Sequence, residues 1–236
     1  MYVCSDMRIL SWNCNGAFRR KYQLLEKFDA DILIIQECEN PVLCKSQDYL
    51  LWACNFQWHG DSNHKGIGVF AKKNIVLTRN DWPDENLKYF LSVNVNGRFD
   101  LVNAWCHGAN SPTFGYIGQF WKYLQINKQR MNNTLVAGDF NSNKIWDVWD
   151  RWWNHSDVIR ELEEIGIRSL YHEKYDENQG EESFPTLFLQ RNLSKPYHID
   201  YAFASKALIP LSISFEIGGP EEWLPYSDHM PLLIEW

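Results

Sequence analysis

Two hydrophobic rhythms divide the chain. Short apolar runs bounded by charged or turn residues predict strands at 8–13 (RILSWN), 31–37 (DILIIQE), 65–73 (KGIGVFAKK), 88–95 (KYFLSVNV), 99–105 (FDLVNAW), 133–141 (NTLVAGDFN), 198–205 (HIDYAFAS), 211–217 (LSISFEI) and 231–236 (PLLIEW). Asn96-Gly97 joins two of them as a hairpin signal. Helical spacing is different. Phe18, Tyr22 and Leu25 predict an amphipathic helix over 18–29. Phe114, Ile117, Trp121 and Leu124 predict another over 110–129, with Ser111 as N-cap and Pro112 at the first helical position. Val158, Leu162 and Ile165 predict a third over 156–166, ended by Gly166. Irregular alternation of strands with a few helices fits a two-layer β core flanked by helices better than a strict parallel βαβ repeat.

Composition narrows the picture. The 236 residues fall within the range of one large domain, and 15% aromatic content would dominate its core. We expect a short N-terminal extension over 1–7 and a single domain over 8–236. A formal charge of -7 argues mildly against long non-specific contact with duplex nucleic acid, though not against a phosphate substrate. Cysteines 4, 14, 38, 44, 54 and 106 form no CxxC pair, so free thiols in a reducing compartment are expected. The N-terminal residues have no charged-then-apolar leader pattern, and no run approaches transmembrane length. A soluble, cytoplasmic protein with no membrane contact and no obligate protein partner is the expectation.

Candidate chemistry collects where apolar runs give way to loops. Asn13 and Asn15 follow ILSW, Glu37 follows DILIIQ, and Asp139 and Asn141 follow TLVAG. Asp200 lies inside HIDYAF, and Asp228-His229 precedes the last strand. Loops at strand ends are where a rigid scaffold places reactive groups. Each cluster alone also reads as an ordinary turn or a solvated strand end. Asp200 is harder to dismiss, because a buried carboxylate needs a partner, and a histidine is a natural one.

Taken in order, SWNCNG, IIQE, GDFN, HIDY and SDH make a set much stronger than its members. The set resembles the endonuclease/exonuclease/phosphatase superfamily from Arg8 to Trp236. The resemblance implies an α/β (α+β) four-layer sandwich of the DNase I-like kind: two packed, mostly antiparallel sheets with helices outside. It implies hydrolysis of a phosphate ester with Mg²⁺ or Mn²⁺, by a site at one edge of the sandwich. Glu37 matches the metal-binding Glu, with Asn13, Asn15 and Asp228 as further metal-site residues. Asp139 matches the residue that orients or deprotonates the attacking water, and Asn141 the amide beside it. His229, oriented by Asp200, matches the group that stabilises charge on the phosphate.

The family pattern is not followed throughout. Trp105 stands where relatives carry His or Tyr, and His107, two residues on, would face the same way and could take that role. His198 stands where many relatives have Arg or another polar residue. Arg19, Arg20 and Lys21 follow the first motif; a solvated helix face is the default reading, and phosphate contact the alternative. The expected substrate is a nucleic acid or nucleotide phosphate, with a nuclease acting on DNA or RNA first and an enzyme of a small soluble phosphate ester second. A catalytically silent binding module is disfavoured, because Glu37, Asp139, Asn141, Asp200 and His229 are all retained.

The stretch after GDFN carries four tryptophans. Trp146, Trp149 and Trp153 have i, i+3, i+7 spacing and are expected to be core on one helix face. Trp152 falls off that face and is expected to contact substrate.

Overall fold

The computed structural model describes residues 7–108, 111–209 and 214–235. In chain order its strands are β1 (Arg8–Asn13), β2 (Ile32–Cys38), β3 (Phe56–Ser62), β4 (Lys65–Ala71), β5 (Leu77–Arg79), β6 (Phe90–Val95), β7 (Phe99–Trp105), β8 (Thr134–Asp139), β9 (Ile167–Ser169), β10 (Leu187–Phe188), β11 (Pro196–Tyr197), β12 (Asp200–Ser205), β13 (Ser214–Ile217) and β14 (Leu232–Glu235). The α-helices are α1 (Gln47–Trp52), α2 (Ile117–Asn127), α3 (His155–Glu164), α4 (Leu170–Tyr175) and α5 (Pro220–Trp223). Two six-stranded sheets form, in the orders β13-β14-β1-β2-β4-β3 and β5-β6-β7-β8-β12-β9, with β10 and β11 as a separate ribbon. β1–β2 and β7–β8 run parallel, and the remaining pairs within the two sheets are antiparallel.

Period-two alternation decides which side chains meet between the sheets. Ile9 of β1, Ile32 and Ile34 of β2, Leu101 of β7, Leu135 and Ala137 of β8, and Ala202 and Ala204 of β12 share one inner core. The intervening residues point outward. Leu10, Trp12, Leu33 and Ile35 pack under Phe18, Tyr22, Tyr49 and Trp223. On the other sheet, Val102, Val136, Tyr201 and Phe203 pack under Phe120 and Leu124 of α2 and Val158 and Leu162 of α3. Four layers result: a mixed α/β fold with two large sheets flanked by helices, as expected.

The same alternation builds the candidate site. Asn13 continues the inner stripe of Ile9, Asp139 that of Leu135 and Ala137, Asp200 that of Ala202 and Ala204, and Trp105 that of Leu101. Asp200 and Trp105 both pair with Asp139. The inner core therefore opens at one edge into polar residues. Just beneath, Gln36 Nε2 donates to Asn103 Oδ1 across the sheets at 2.8 Å. Gly138 permits close approach there: φ is 148°, and an added Cβ would lie 1.9 Å from the Ala104 carbonyl oxygen.

Several sequence expectations are corrected. The 18–29 helix is two 3₁₀ segments, Phe18–Arg20 and Tyr22–Phe28, because Lys21 between them leaves helical geometry (φ -125°). The helix expected over 110–129 starts at Ile117; Ser111 Oγ instead accepts from the Phe114 amide in a turn. Asn110 and residues 211–213 of the strand expected at 211–217 lie outside the described residues. The tryptophan helix does not form. Asn154 caps α3 in a reciprocal pair with Asp157, so helix begins only at His155. Of the supposed core face, Trp153 is 9% exposed, but Trp146 is 44% and Trp149 95% exposed. No helix of the described residues is long and apolar enough to cross a membrane.

Candidate active site

Asp139, at the end of β8, is the hub. It is buried, and three donors fix its carboxylate: Asn13 Nδ2 at 2.8 Å, Asn141 Nδ2 at 2.9 Å and the Asn141 amide at 2.9 Å. Asn141 can turn back in this way because its φ is 47°, a conformation asparagine tolerates. Asn13 Nδ2 also donates to Glu37 Oε1 at 3.3 Å, so one amide clamps two carboxylates. Glu37 belongs by parity to the outer face of β2. A bulge between Gln36 and Cys38 and a φ of 62° re-aim it toward the edge.

On the other side, His229 Nδ1–H donates to both Asp200 oxygens at 3.0 Å. Its Nε2 lies 3.9 Å from Asp139 Oδ2. Burial works against charge on His229, but Asp200 and Asp139 outweigh it and hold its pKa above the ordinary histidine range. Burial, reinforced by Asp200, pushes the Asp139 carboxyl up, against His229 and the amide hydrogen bonds. The arrangement can present an imidazolium beside a carboxylate of raised basicity, in a site shielded from water.

Residues outside the motifs lock these groups. Thr186 Oγ1 accepts from the amides of Ile199 and Asp200, both at 2.9 Å. Ser227 Oγ donates to the Asn13 carbonyl at 2.8 Å and accepts from the His229 amide at 3.0 Å. Trp12 Nε1–H donates to the His229 carbonyl at 3.0 Å. Lys21 Nζ bridges the carbonyls of Cys14 and Tyr226 at 2.6 and 2.7 Å. Below the catalytic loop, His155 Nε2–H donates to Gln179 Oε1 at 3.1 Å and Nδ1 faces Ser142 Oγ at 3.3 Å. Burial lowers the His155 pKa to about 4, so the ring is neutral at pH 7.

The remaining candidates separate. Asn15 Nδ2 donates to Asp228 Oδ1 at 2.9 Å, joining the first and last motifs at the rim. Arg19 is drawn into an ion pair with buried Glu39, which limits it as a free phosphate contact; Arg20 is exposed. Trp105 is buried against the inner core, beneath Tyr89 and His107 at ring-centroid distances of 4.5 and 4.9 Å. His107, exposed above it, is the one that reaches the surface, and partial burial lowers its pKa. His198 is buried, with Nδ1–H donating to the Phe184 carbonyl at 2.7 Å, so it is structural. Trp152 is 62% exposed. Sequence reasoning missed Lys65: its Nζ is 2.7 Å from Glu37 Oε2 and 5.4 Å from the Trp105 ring centre. It comes from β4, where no motif marks it.

The donor set suits a hard divalent cation. Glu37 and Asp139 offer carboxylate oxygens of the kind Mg²⁺ or Mn²⁺ takes, held side by side by the Asn13 Nδ2–H between them, while Asn13 Oδ1 accepts from the Asn15 amide. Asp139, Asp200 and His229 also bring ligand atoms within 4.8 Å of one another. His229, however, is already committed to Asp200 and carries positive charge, so these three read as a charge-stabilising group rather than a metal cage. The nearby thiols of Cys14, Cys38 and Cys106 are pushed up by burial, which disfavours their thiolates.

A four-layer sandwich with paired carboxylates, amides and a carboxylate-bound histidine at one edge is an arrangement suited to hydrolysis of a phosphoric ester. The chain belongs to the Endonuclease/Exonuclease/phosphatase family, which it matches over residues 10–229. No curated protein sequence matches it significantly. Among solved structures, it is similar to the 3' phosphatase NExo from Neisseria bound to product DNA hairpin, with 19% identity, 98% of this chain and 99% of that chain covered, and a TM-score of 0.70. It is similar to an AP endonuclease from Archaeoglobus fulgidus at 18% identity, covering 97% and 98%, TM-score 0.65. D. rerio TDP2 complexed with single strand DNA product matches at 15% identity, covering 98% of each chain, TM-score 0.63.

Proposed function

We propose that this chain is a divalent-metal-dependent nuclease that hydrolyses phosphodiester bonds in DNA. The observation that carries this is the convergence of Asn13, Glu37, Asp139, Asn141, Asp200 and His229 at one sandwich edge through direct hydrogen bonds. The DNA-bound structures of similar fold, with a hairpin in one and a single strand in another, support the substrate class.

Glu37 is the principal metal ligand in this reading, with Asn13 beside it and Asn15 and Asp228 at the rim. When bound, Mg²⁺ or Mn²⁺ supplies Lewis-acid stabilisation of phosphate charge and a more acidic bound water. Asp139 accepts the proton of the attacking water, and Asn141 orients that water. Asp200 fixes the His229 ring, and the imidazolium Nε2–H faces the charge that develops on the phosphate. Lys65 and His107, flanking Trp105, supply positive or donor groups where relatives have His or Tyr.

The charge of -7 supports a second reading, a small soluble phosphate ester such as a nucleotide or inositol phosphate. A substrate panel with and without Mg²⁺ or Mn²⁺ decides: single- and double-stranded DNA, RNA, an abasic duplex, nucleotides and an inositol phosphate. Cleavage of DNA strands upholds the nuclease reading, and activity on small esters alone overturns it.

A further inference from the structure

The loop between the catalytic edge and α3 exposes aromatic surface that the reaction does not use. Trp146, Trp149 and Trp152 are 44%, 95% and 62% exposed. Such surface is costly to leave in water unless something covers it. We propose that this loop is a stacking platform for unpaired nucleobases, making the enzyme selective for single-stranded segments over blunt duplex. The proposal rests on the nuclease reading above and adds the substrate's strand state.

Position supports it. The loop continues directly from Asn141 and Asn143. The Trp146 ring lies 5.3 Å from that of Tyr197. Tyr197 pairs with Leu187, which in turn bridges to His229, so the first indole stands over the ribbon beside the catalytic histidine.

The loop is also built to hold its shape. The Asn154 side chain accepts from the Val148 amide and Arg151 Nε, both at 2.9 Å, and donates to the Val148 and Arg151 carbonyls at 3.0 and 2.7 Å. Asp147 accepts from the His155 and Ser156 amides at 2.9 and 3.2 Å. Arg151 Nη2 donates to the Trp146 carbonyl at 3.0 Å. Trp153 anchors the far end, 4.4 Å from Phe114 and tight over Gly118, where a Cβ would approach it to 2.7 Å. Trp152 leans edge-on against it at 4.7 Å. A pre-organised loop loses little entropy on binding, so its indoles are available at low cost.

The chemistry favours bases. Every nucleobase has a face that stacks on an indole, whatever the sequence, but paired bases in a duplex already stack on each other. With the chain at -7, stacking rather than phosphate neutralisation must carry much of the affinity, so salt should weaken binding only shallowly.

The test uses Asp139→Asn protein, to prevent cleavage, with a fluorescein-labelled 12-nucleotide mixed-sequence DNA strand and the matching blunt duplex. The single strand should bind more tightly. Adding Trp149→Ala and Trp152→Ala should weaken it by about tenfold or more, with much less change for the duplex. Trp149→Phe should keep most of the affinity, which separates lost stacking from lost folding. Equal strand affinity with and without the alanines, or equal loss on duplex, overturns the platform. Binding of the wild type to phosphatidylcholine–phosphatidylglycerol vesicles, lost in the alanine variant while strand binding is kept, overturns it in favour of a membrane surface. Failure of the wild type to cleave any strand with Mg²⁺ would instead overturn the nuclease reading itself.

Discussion

Asp139 and Trp149 belong to one stretch between β8 and α3, yet they stand in opposite environments. Asp139 is buried and takes three hydrogen bonds from neighbouring amides. Trp149 is 95% exposed. The hydrophobic effect alone would reverse them. The carboxylate stays inside because strand alternation places it at the mouth of the inner core and other motifs satisfy it. The indole stays outside because the Asn154–Asp157 cap starts the helix too late to turn it inward. Polarity therefore does not sort this stretch; the hydrogen bonds of the surrounding backbone and side chains do.

The contrast can be broken most sharply at the carboxylate. Asp139→Asn should lower kcat by about 10²–10⁴-fold, the range for losing a general base, with an unchanged far-UV circular dichroism spectrum. Full activity would remove Asp139 from the chemistry. His229→Gln should cost about 10²–10³-fold. Asp200→Asn should act in the same direction, and the double variant should lose less than the product of the two, because Asp200 works through His229. Additive losses would mean that the pair is not a unit.

Stability separates the tryptophans. Trp153→Ala should cost about 3–5 kcal/mol in urea unfolding, since it empties a packed site against Phe114 and Gly118. Trp149→Ala should stay within about 0.5 kcal/mol. Similar losses from both would put Trp149 in the core after all.

A smaller effect concerns the layer under the loop. His155 has its folded pKa lowered to about 4 from 6.5 by burial. Below pH 6.5 the unfolded chain takes a proton that the folded ring refuses, so stability falls as pH drops toward about 4 and is fully present above 6.5. The contribution is at most about 3 kcal/mol. His155→Gln should flatten the stability–pH curve in this window, and an unaltered slope would place the effect elsewhere.

The placement of the candidate residues at one edge is legible in the sequence, because most of them terminate alternating stripes. Asn13, Asp139 and Asp200 each continue an inner-facing apolar series, and a period of two is easily followed through a buried strand. Glu37 was found by its motif, although parity alone sends it to the wrong face; only the bulge after Gln36 corrects that. Lys65 was missed, because it approaches Glu37 from another strand, a contact that one-dimensional spacing does not encode. Strands as short as β10 and β11 are below the length at which any period shows. In the tryptophan loop, i, i+3, i+7 spacing imitates a helix face that does not form. The contrary signal was present in Asn154 and Asp157, a capping box that places the helix start after the run.

If the hydrogen-bonded edge is a metal-dependent phosphodiesterase centre, cleavage needs both the divalent ion and Glu37. The most direct measurement is cleavage of a 5'-labelled single DNA strand by the wild type and by Glu37→Ala, each with Mg²⁺ and with EDTA. Cleavage products are expected only for the wild type with Mg²⁺. Equal cleavage by Glu37→Ala, or by the wild type in EDTA, would contradict it.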